Sequence, residues 1–136
     1  MVKPIMHDAF FLNQKSEEAT KVDLPVAQDL EDTLKANREC CVGMAANMIG
    51  YRKRIIIVAT GLADMVMINP VITETSEPYE TEEGCLSLPG VRKTTRFQKI
   101  TVKYLDKKFA EHTQSFSGYI AQIIQHECDH LKGILI

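Results

Sequence analysis

Ser117-Gly118-Tyr119-Ile120-Ala121-Gln122-Ile123-Ile124-Gln125-His126-Glu127-Cys128-Asp129-His130-Leu131-Lys132-Gly133 has the pattern of a single helix near the end of the chain. Ser117-Gly118 cap its start, Ile120, Ile123, Ile124, Cys128 and Leu131 recur on an apolar side, and Gly133 stops it. His126 and His130 are four residues apart, so on a helix they share a face and can point at one metal ion. Glu127 sits beside them, where a general base for a metal-bound water is useful. Isolated histidines on a helix are often ordinary core or surface residues. Two of them with Glu127 and Asp129 in an otherwise apolar helix are costly to bury without partners, which favours the metal reading. A catalytic site of this kind takes a third protein ligand. The segment downstream, Leu131 to Ile136, has no side chain that binds a metal well. Either the motif is accidental or the third ligand comes from earlier in the chain.

The upstream candidates differ in their settings. His7 lies in the N-terminal arm, and His112, between Glu111 and Thr113, reads as a solvated turn residue. Cys40 and Cys41 end the first helix and read as small core residues. Cys128 is turned away from the two histidines and reads as core. Cys85 stands in Glu82-Glu83-Gly84-Cys85-Leu86-Ser87-Leu88-Pro89-Gly90, where Gly84 permits close backbone approach and Pro89-Gly90 marks a turn. Alone, Cys85 reads equally as a buried strand cysteine. The need of the helix for a further ligand favours it, because one thiolate, two neutral imidazoles and a water make a tetrahedral site suited to Zn²⁺ or Fe²⁺.

Composition narrows the setting. The 136 residues fit one domain, residues 1–136, long enough to bury a core. A net charge of -2 argues against a broad basic surface for nucleic acid. No run is long enough to cross a bilayer, and Met1 to Phe11, with Lys3, His7 and Asp8, lacks the apolar stretch of a secretory signal. A cytoplasmic location is expected, where four cysteines are thiols or ligands rather than a disulfide framework.

Residues 1–20 read as an irregular arm. Asp23-Leu24-Pro25 starts a helix running to about Arg38. Ile55 to Val58 and Met65 to Ile68 read as paired buried strands, the second ended or kinked by Asn69-Pro70. Lys99 to Leu105 and Thr113 to Phe116 read as further strands. The expected class is α+β.

Two segments together resemble the peptide deformylase family. Glu83-Gly84-Cys85-Leu86-Ser87 and Gln125-His126-Glu127-Cys128-Asp129-His130 are similar to that family's second and third motifs, in the right order and followed after the cysteine by Leu88-Pro89-Gly90-Val91-Arg92. The likeness covers nearly the whole chain and implies small antiparallel or mixed sheets packed around a central C-terminal H-E-x-x-H helix. The first motif, roughly G-x-G-[LM]-A-A-x-Q, is here Cys41-Val42-Gly43-Met44-Ala45-Ala46-Asn47-Met48. It departs at Cys41 and at Met48, which stands where the family has a glutamine that donates to the reaction's oxyanion. Methionine has no such donor; Asn47, Gln122 or a water are the candidate substitutes.

The resemblance implies removal of the N-formyl group from the initiator methionine of new polypeptides. Cys85, His126 and His130 would bind one divalent ion, Fe²⁺ in cells with Zn²⁺ or Ni²⁺ as alternatives. Glu127 would take the proton from the bound water and pass it to the leaving amine, and the Leu86 backbone N–H would stabilise the oxyanion. Val42 and Gly43 would line the substrate backbone, Arg92 would lie near the peptide beyond the methionine, and Ile123 with Gln122 would line the methionine pocket, where a glutamine is unexpectedly polar. Asp129 reads as a residue that orients a ligand or as a plain salt-bridge partner, and Glu83 as structural, paired with Arg92 or Arg96. The expected partners are formylmethionyl nascent peptides, at the ribosome or free of it, with neither nucleic acid nor membrane, and the chain is expected to be a monomer. The alternative from another class is a metal-binding relative with weak or no deformylase activity, or an altered substrate, because of Met48. An H-E-x-x-H peptidase is disfavoured by the missing downstream ligand.

Overall fold

Ile55-Ile56-Ile57-Val58 is β-branched throughout, which suits a strand buried on both faces. In the computed structural model, which describes residues 1–135, this run is β2 (Ile55–Ala59). It lies between β1 (Gly43–Ala45) and β3 (Asp64–Cys85), antiparallel to both. β4 (Leu88–Leu105) and β5 (Glu111–Ser117) complete one five-stranded antiparallel sheet in the order β1-β2-β3-β4-β5. The helices are α1 (Ala9–Leu12), α2 (Leu24–Ala36) and α3 (Gly118–Leu131). The α+β class and the C-terminal helix agree with the sequence; the strands join in a single sheet rather than several.

The apolar faces of α2 and α3 close on this sheet. Leu30 and Leu34 of α2, Ile55 to Val58 of β2, and Ile124 and Leu131 of α3 are among the fully enclosed residues of one core. Pro25 sits in the first turn of α2, where its missing N–H costs nothing. That helix ends at Ala36, two residues short of the expected Arg38. No helix among the described residues is long and apolar enough to cross a membrane.

Asn69-Pro70 does not end β3. The pairing slips between Ile68 and Val71, so the proline falls in a bulge where no ladder hydrogen bond needs its nitrogen. Asn69 adopts φ 51 there, a conformation asparagine tolerates. Its amide clamps Ala19 of the arm in both directions, at 2.8 and 3.0 Å. Pro89-Gly90 is likewise no turn. Cys85 pairs with Leu88 across a two-residue turn, Leu86-Ser87, and Gly84 pairs with Val91, leaving Pro89 and Gly90 as extra residues of a bulge with Gly90 at φ 82. His112 lies on β5 rather than in a turn, stacked on Tyr104 and bonded to Asp106 at 2.7 Å.

The arm contains one helical turn, α1, capped by Asp8, which accepts from the Phe10 N–H at 2.9 Å. Its path is tied down: Met6 donates to the Met48 carbonyl at 2.7 Å and Ser16 to the Leu131 carbonyl at 2.9 Å. Gly133 ends α3 at φ 79, and a Cβ there would stand 2.5 Å from the Asn13 carbonyl oxygen. Glycine is therefore required where the arm crosses the helix end.

Candidate metal centre

The hairpin turn of β3 and β4 delivers Cys85 to the face of α3 that carries the histidines. Cys85 Sγ lies 3.3 Å from His130 Nε2, and His130 Nε2 lies 3.0 Å from His126 Nε2. All three donor atoms fall within 4.8 Å of one another. A tetrahedral ion with metal–sulfur and metal–nitrogen bonds of ordinary length has ligand–ligand edges of about 3.3 to 3.6 Å, so the cluster is within a few tenths of an ångström of a coordination shell. The donor types fit as well, since a thiolate and two imidazoles suit a borderline transition metal. Burial, helped by the neighbouring His126, holds the His130 imidazole down to about 3, which keeps His130 neutral as a ligand must be. Burial would lower His126 too, but the nearby Cys85 sulfur and the hydrogen bond to Glu83 outweigh it and raise that ring.

Behind these three donors lies a hydrogen-bonded set of charges. His126 Nδ1 meets Glu83 Oε1 at 2.8 Å, which leaves Nε2 facing the other ligands. Arg96, only 3% exposed, donates to Glu83 from Nε at 3.0 Å and from Nη2 at 2.7 Å, and to Asp129 from Nη1 at 2.6 Å. Gln122 Nε2 adds a further bond to Glu83 Oε2 at 2.9 Å. Burial alone would raise the Glu83 carboxyl, but the bonds from His126, Arg96 and Gln122 hold it down at about 2. Of the two arginines open as partners of Glu83, the structure selects Arg96. The bond from Glu83 to His126 had no local sign in the sequence beyond the place of Glu83 two residues before Cys85.

Glu127 lines the same cavity as this carboxylate, on the side of β1. It is 4% exposed, and its Oε1 has no partner among the described residues. Burial pushes its carboxyl up to about 7, against the pull of His126. Gly43 of β1 explains how the two elements come this close: a Cβ there would stand 2.6 Å from Ile123 Cγ2 and 3.1 Å from Glu127 Oε2.

These groups open into a cavity of about 440 Å³. Cys85, His126 and Glu127 line one side of it, together with Leu86 at the hairpin turn. Val42, Gly43 and Met48 line a second side, and Tyr119, Gln122 and Ile123 a third. Arg92 lies outside this lining, with its Nη1 on the Pro89 carbonyl at 3.3 Å. His130 is fully enclosed behind the cavity wall.

The departures in the first motif have specific places. Met48 is buried, and its Sδ accepts from the Ala45 N–H at 3.4 Å. Both side chains named as substitutes for its missing donor are engaged elsewhere through one bond each: Asn47 Nδ2 donates to the His130 carbonyl at 2.9 Å, and Gln122 Nε2 donates to Glu83. Neither Cys40 nor Cys41 closes α2, and only Cys41 packs against the core, half-buried. Both lie beyond that helix, Cys40 exposed and Cys41 lining the cavity mouth, where burial pushes the Cys41 thiol up to about 12. Cys128 is buried, as expected.

Comparison with known proteins places this geometry in a family. The model of the family described as Polypeptide deformylase matches residues 3–136. A peptide deformylase of Clostridium beijerinckii is 59% identical over 136 residues, covering 100% of both chains. One of Pelotomaculum thermopropionicum is 39% identical over 91% of this chain and 81% of its own. Among solved structures, the actinonin-bound class I type b peptide deformylase of Acinetobacter baumannii superposes with a TM-score of 0.88 at 34% identity, covering 99% of this chain and 95% of that one. The peptide deformylase of Thermotoga maritima superposes at 0.89 with 30% identity and the same two coverages. A cysteine sulfur and two imidazoles gathered beside a buried acid, on a fold and sequence shared along the whole chain with these enzymes, make this chain a member of the polypeptide deformylase family of metal-dependent hydrolases.

Proposed function

We propose that this chain removes the N-formyl group from formylmethionyl peptides of newly made proteins, with Cys85, His126 and His130 holding one divalent ion and Glu127 as general base. The observation that carries this reading is Glu127, a buried and unpaired carboxyl held near neutrality beside three converging donor atoms on a cavity floor. A divalent ion at those donors supplies a Lewis acid and lowers the pKa of a water. Glu127 takes a proton from the attacking water at its unpaired oxygen and returns it to the leaving amine; burial raises its carboxyl, which favours the return of the proton. The Leu86 backbone N–H donates to the oxyanion. Val42 and Gly43, at the β1 edge of the sheet, where no further strand pairs among the described residues, receive the substrate backbone by edge pairing. Ile123 and Gln122 receive the methionine side chain, and Arg92 acts on the peptide beyond the cavity. A. baumannii peptide deformylase has been solved with Met-Ala-Ser bound, with a TM-score of 0.89 and 32% identity to this chain, which supports a peptide of that shape as the ligand class.

The iron form is the one proposed for the cell, with the chain acting as a monomer in the cytoplasm on nascent peptides at the ribosome. A form weakened by Met48 is not favoured, since a named peptide deformylase shares 59% of the sequence along the full chain. The test is turnover of formyl-Met-Ala-Ser by protein loaded anaerobically with Fe²⁺. Glu127→Ala is expected to lose about 10²- to 10⁴-fold, the usual contribution of a general base. Wild-type turnover no higher than that of Glu127→Ala overturns the reading. Cys85→Ala should abolish stoichiometric metal binding while Cys128→Ala retains it.

A further inference from the structure

Gln122 is the polar residue in a wall where an apolar side-chain pocket was expected, and its contacts give it a role of its own. It stands four residues before His126, on the same face of α3. Its Nε2 bonds to Glu83 Oε2 at 2.9 Å, while Glu83 Oε1 meets His126 Nδ1 at 2.8 Å. Gln122, Glu83 and His126 thus close a clip that joins two turns of the helix through one carboxylate of β3. Glu83 is held by three donor residues. Arg96 is sealed behind the site and does not line the cavity, and His126 is itself a candidate ligand. Gln122 is the remaining one: it is half-buried, it lines the cavity, and its Oε1 carries no protein bond among the described residues and is not sealed from solvent. A carboxylate only accepts hydrogen bonds, so the amide must keep its nitrogen toward Glu83, which turns Oε1 away from it.

We propose that Gln122 is a positioning residue that transmits occupancy of the side-chain pocket, through the Glu83 carboxylate, to the orientation of the His126 imidazole. This deepens the proposed function and rests on Cys85, His126 and His130 being the metal ligands. A side chain filling the pocket packs on Gln122 and removes its alternative rotamers. The Gln122–Glu83 bond then persists, and His126 stays aimed at the ion. An empty pocket leaves Gln122 free to turn to water, and Glu83 loses one of its three donor residues. Coupling of this kind is reciprocal, so a peptide that fills the pocket tightens metal binding by the factor by which the metal tightens peptide binding.

The experiment uses Co²⁺ as the metal, titrated against a competing chelator, with the visible d–d bands recorded alongside. Gln122→Met keeps length, volume and helix propensity and removes the donor. It should weaken Co²⁺ binding about tenfold, the low end of what partners of metal ligands contribute. Saturating Met-Ala-Ser should shift the d–d bands of the wild type more than saturating Gly-Ala-Ser, which has no first side chain, and Gln122→Met should respond to both alike. Unchanged Co²⁺ affinity in Gln122→Met, or a difference between the two peptides that survives the substitution, overturns the proposal. Wild-type protein alone also tests it: equal tightening of Co²⁺ by the two peptides refutes the coupling even if the variant fails to fold. Absent turnover of formyl-Met-Ala-Ser would sink the proposed function and leave these metal readouts standing. Intact turnover with no effect of Gln122→Met would sink only the coupling.

Discussion

Two walls of the same cavity are built on different physics. The wall made by the β3–β4 hairpin and α3 is a set of interlocked charges, in which Arg96 bonds Glu83 and Asp129 while Glu83 bonds His126 and Gln122. The wall made by Val42, Gly43 and Met48 is held by shape: Gly43 leaves no room for a Cβ, and Met48 makes one weak contact through sulfur. The first wall carries the complete family motifs, and the second carries the departures at Cys41 and Met48. The contrast follows from energetics. A buried charge that loses its partner is expensive wherever it sits, whereas an apolar or backbone-lined surface accepts a swap that conserves volume.

The largest effect should come from breaking the charged wall. Arg96→Met leaves Glu83 and Asp129 without their shared cation. It is expected to cost about 3–5 kcal/mol, the usual penalty for removing one partner of a buried ion pair, read as a fall in the urea midpoint at constant m. A loss below about 1 kcal/mol, the range of exposed pairs, would show that the set is not buried in the energetic sense.

Gly43→Ala attacks the other wall where it is tightest. The new Cβ meets Ile123 and Glu127, so the acid must move by a few tenths of an ångström or more. A fall of roughly 10²-fold in kcat/KM is expected, as for other small misplacements of catalytic groups, with metal content unchanged. Equal activity would mean that β1 yields freely and that shape does not hold this wall.

Met48→Gln is gentler, because glutamine matches methionine in size and its carbonyl can accept the Ala45 N–H. It is expected to raise kcat less than about tenfold, well short of the 10²–10³ that one oxyanion donor contributes where it is needed. A hundredfold rise would show that the missing donor limits the enzyme, and a fall would show that the apolar contact is itself required.

The smallest effect lies outside both walls, at the paired Arg38 and Asp64, whose two bonds are each 2.7 Å long. The Arg38 guanidinium holds the Asp64 carboxyl below its ordinary value of 3.8. A carboxyl whose value is lower in the folded state contributes stability above the unfolded value and loses it as pH falls through the folded one. Asp64→Asn should therefore lower the melting temperature slightly at pH 7, with the difference shrinking as the pH falls below 3.8 toward 2. A difference that persists at pH 2 would point to packing instead of charge.

The divide between these walls also separates what was legible along the chain from what was not. The face shared by His126 and His130, the place of Glu127 and the core side of α3 follow from the repeat of one helix, a local property of spacing. So does the buried character of β2. Hairpin register is not local. Proline and glycine at Pro89-Gly90 carry a turn signal, yet the turn forms at Leu86-Ser87 and the pair becomes a bulge. At Asn69-Pro70 the bulge lets β3 continue, since the proline nitrogen meets no ladder partner and the asparagine side chain is satisfied by Ala19. Arg92 and Arg96 lie four apart and share one strand face, so no local pattern distinguishes them as partners of Glu83. Asp129 of α3 does so by binding Arg96.

The sequence alone determined the type of chemistry available: two imidazoles and an acid on one short helical segment, and a thiolate in a glycine-flanked segment to complete them. Residue types and a periodicity of a few positions carry that much. Only the tertiary structure decided which groups meet. It brought Cys85 to His130 across forty-five residues of sequence separation, assigned Arg96 to Glu83, engaged Asn47 and Gln122 in other bonds, and placed Gly43 against Glu127. Each of these rests on strand register and on how closely packed elements approach, which depend on the whole fold at once.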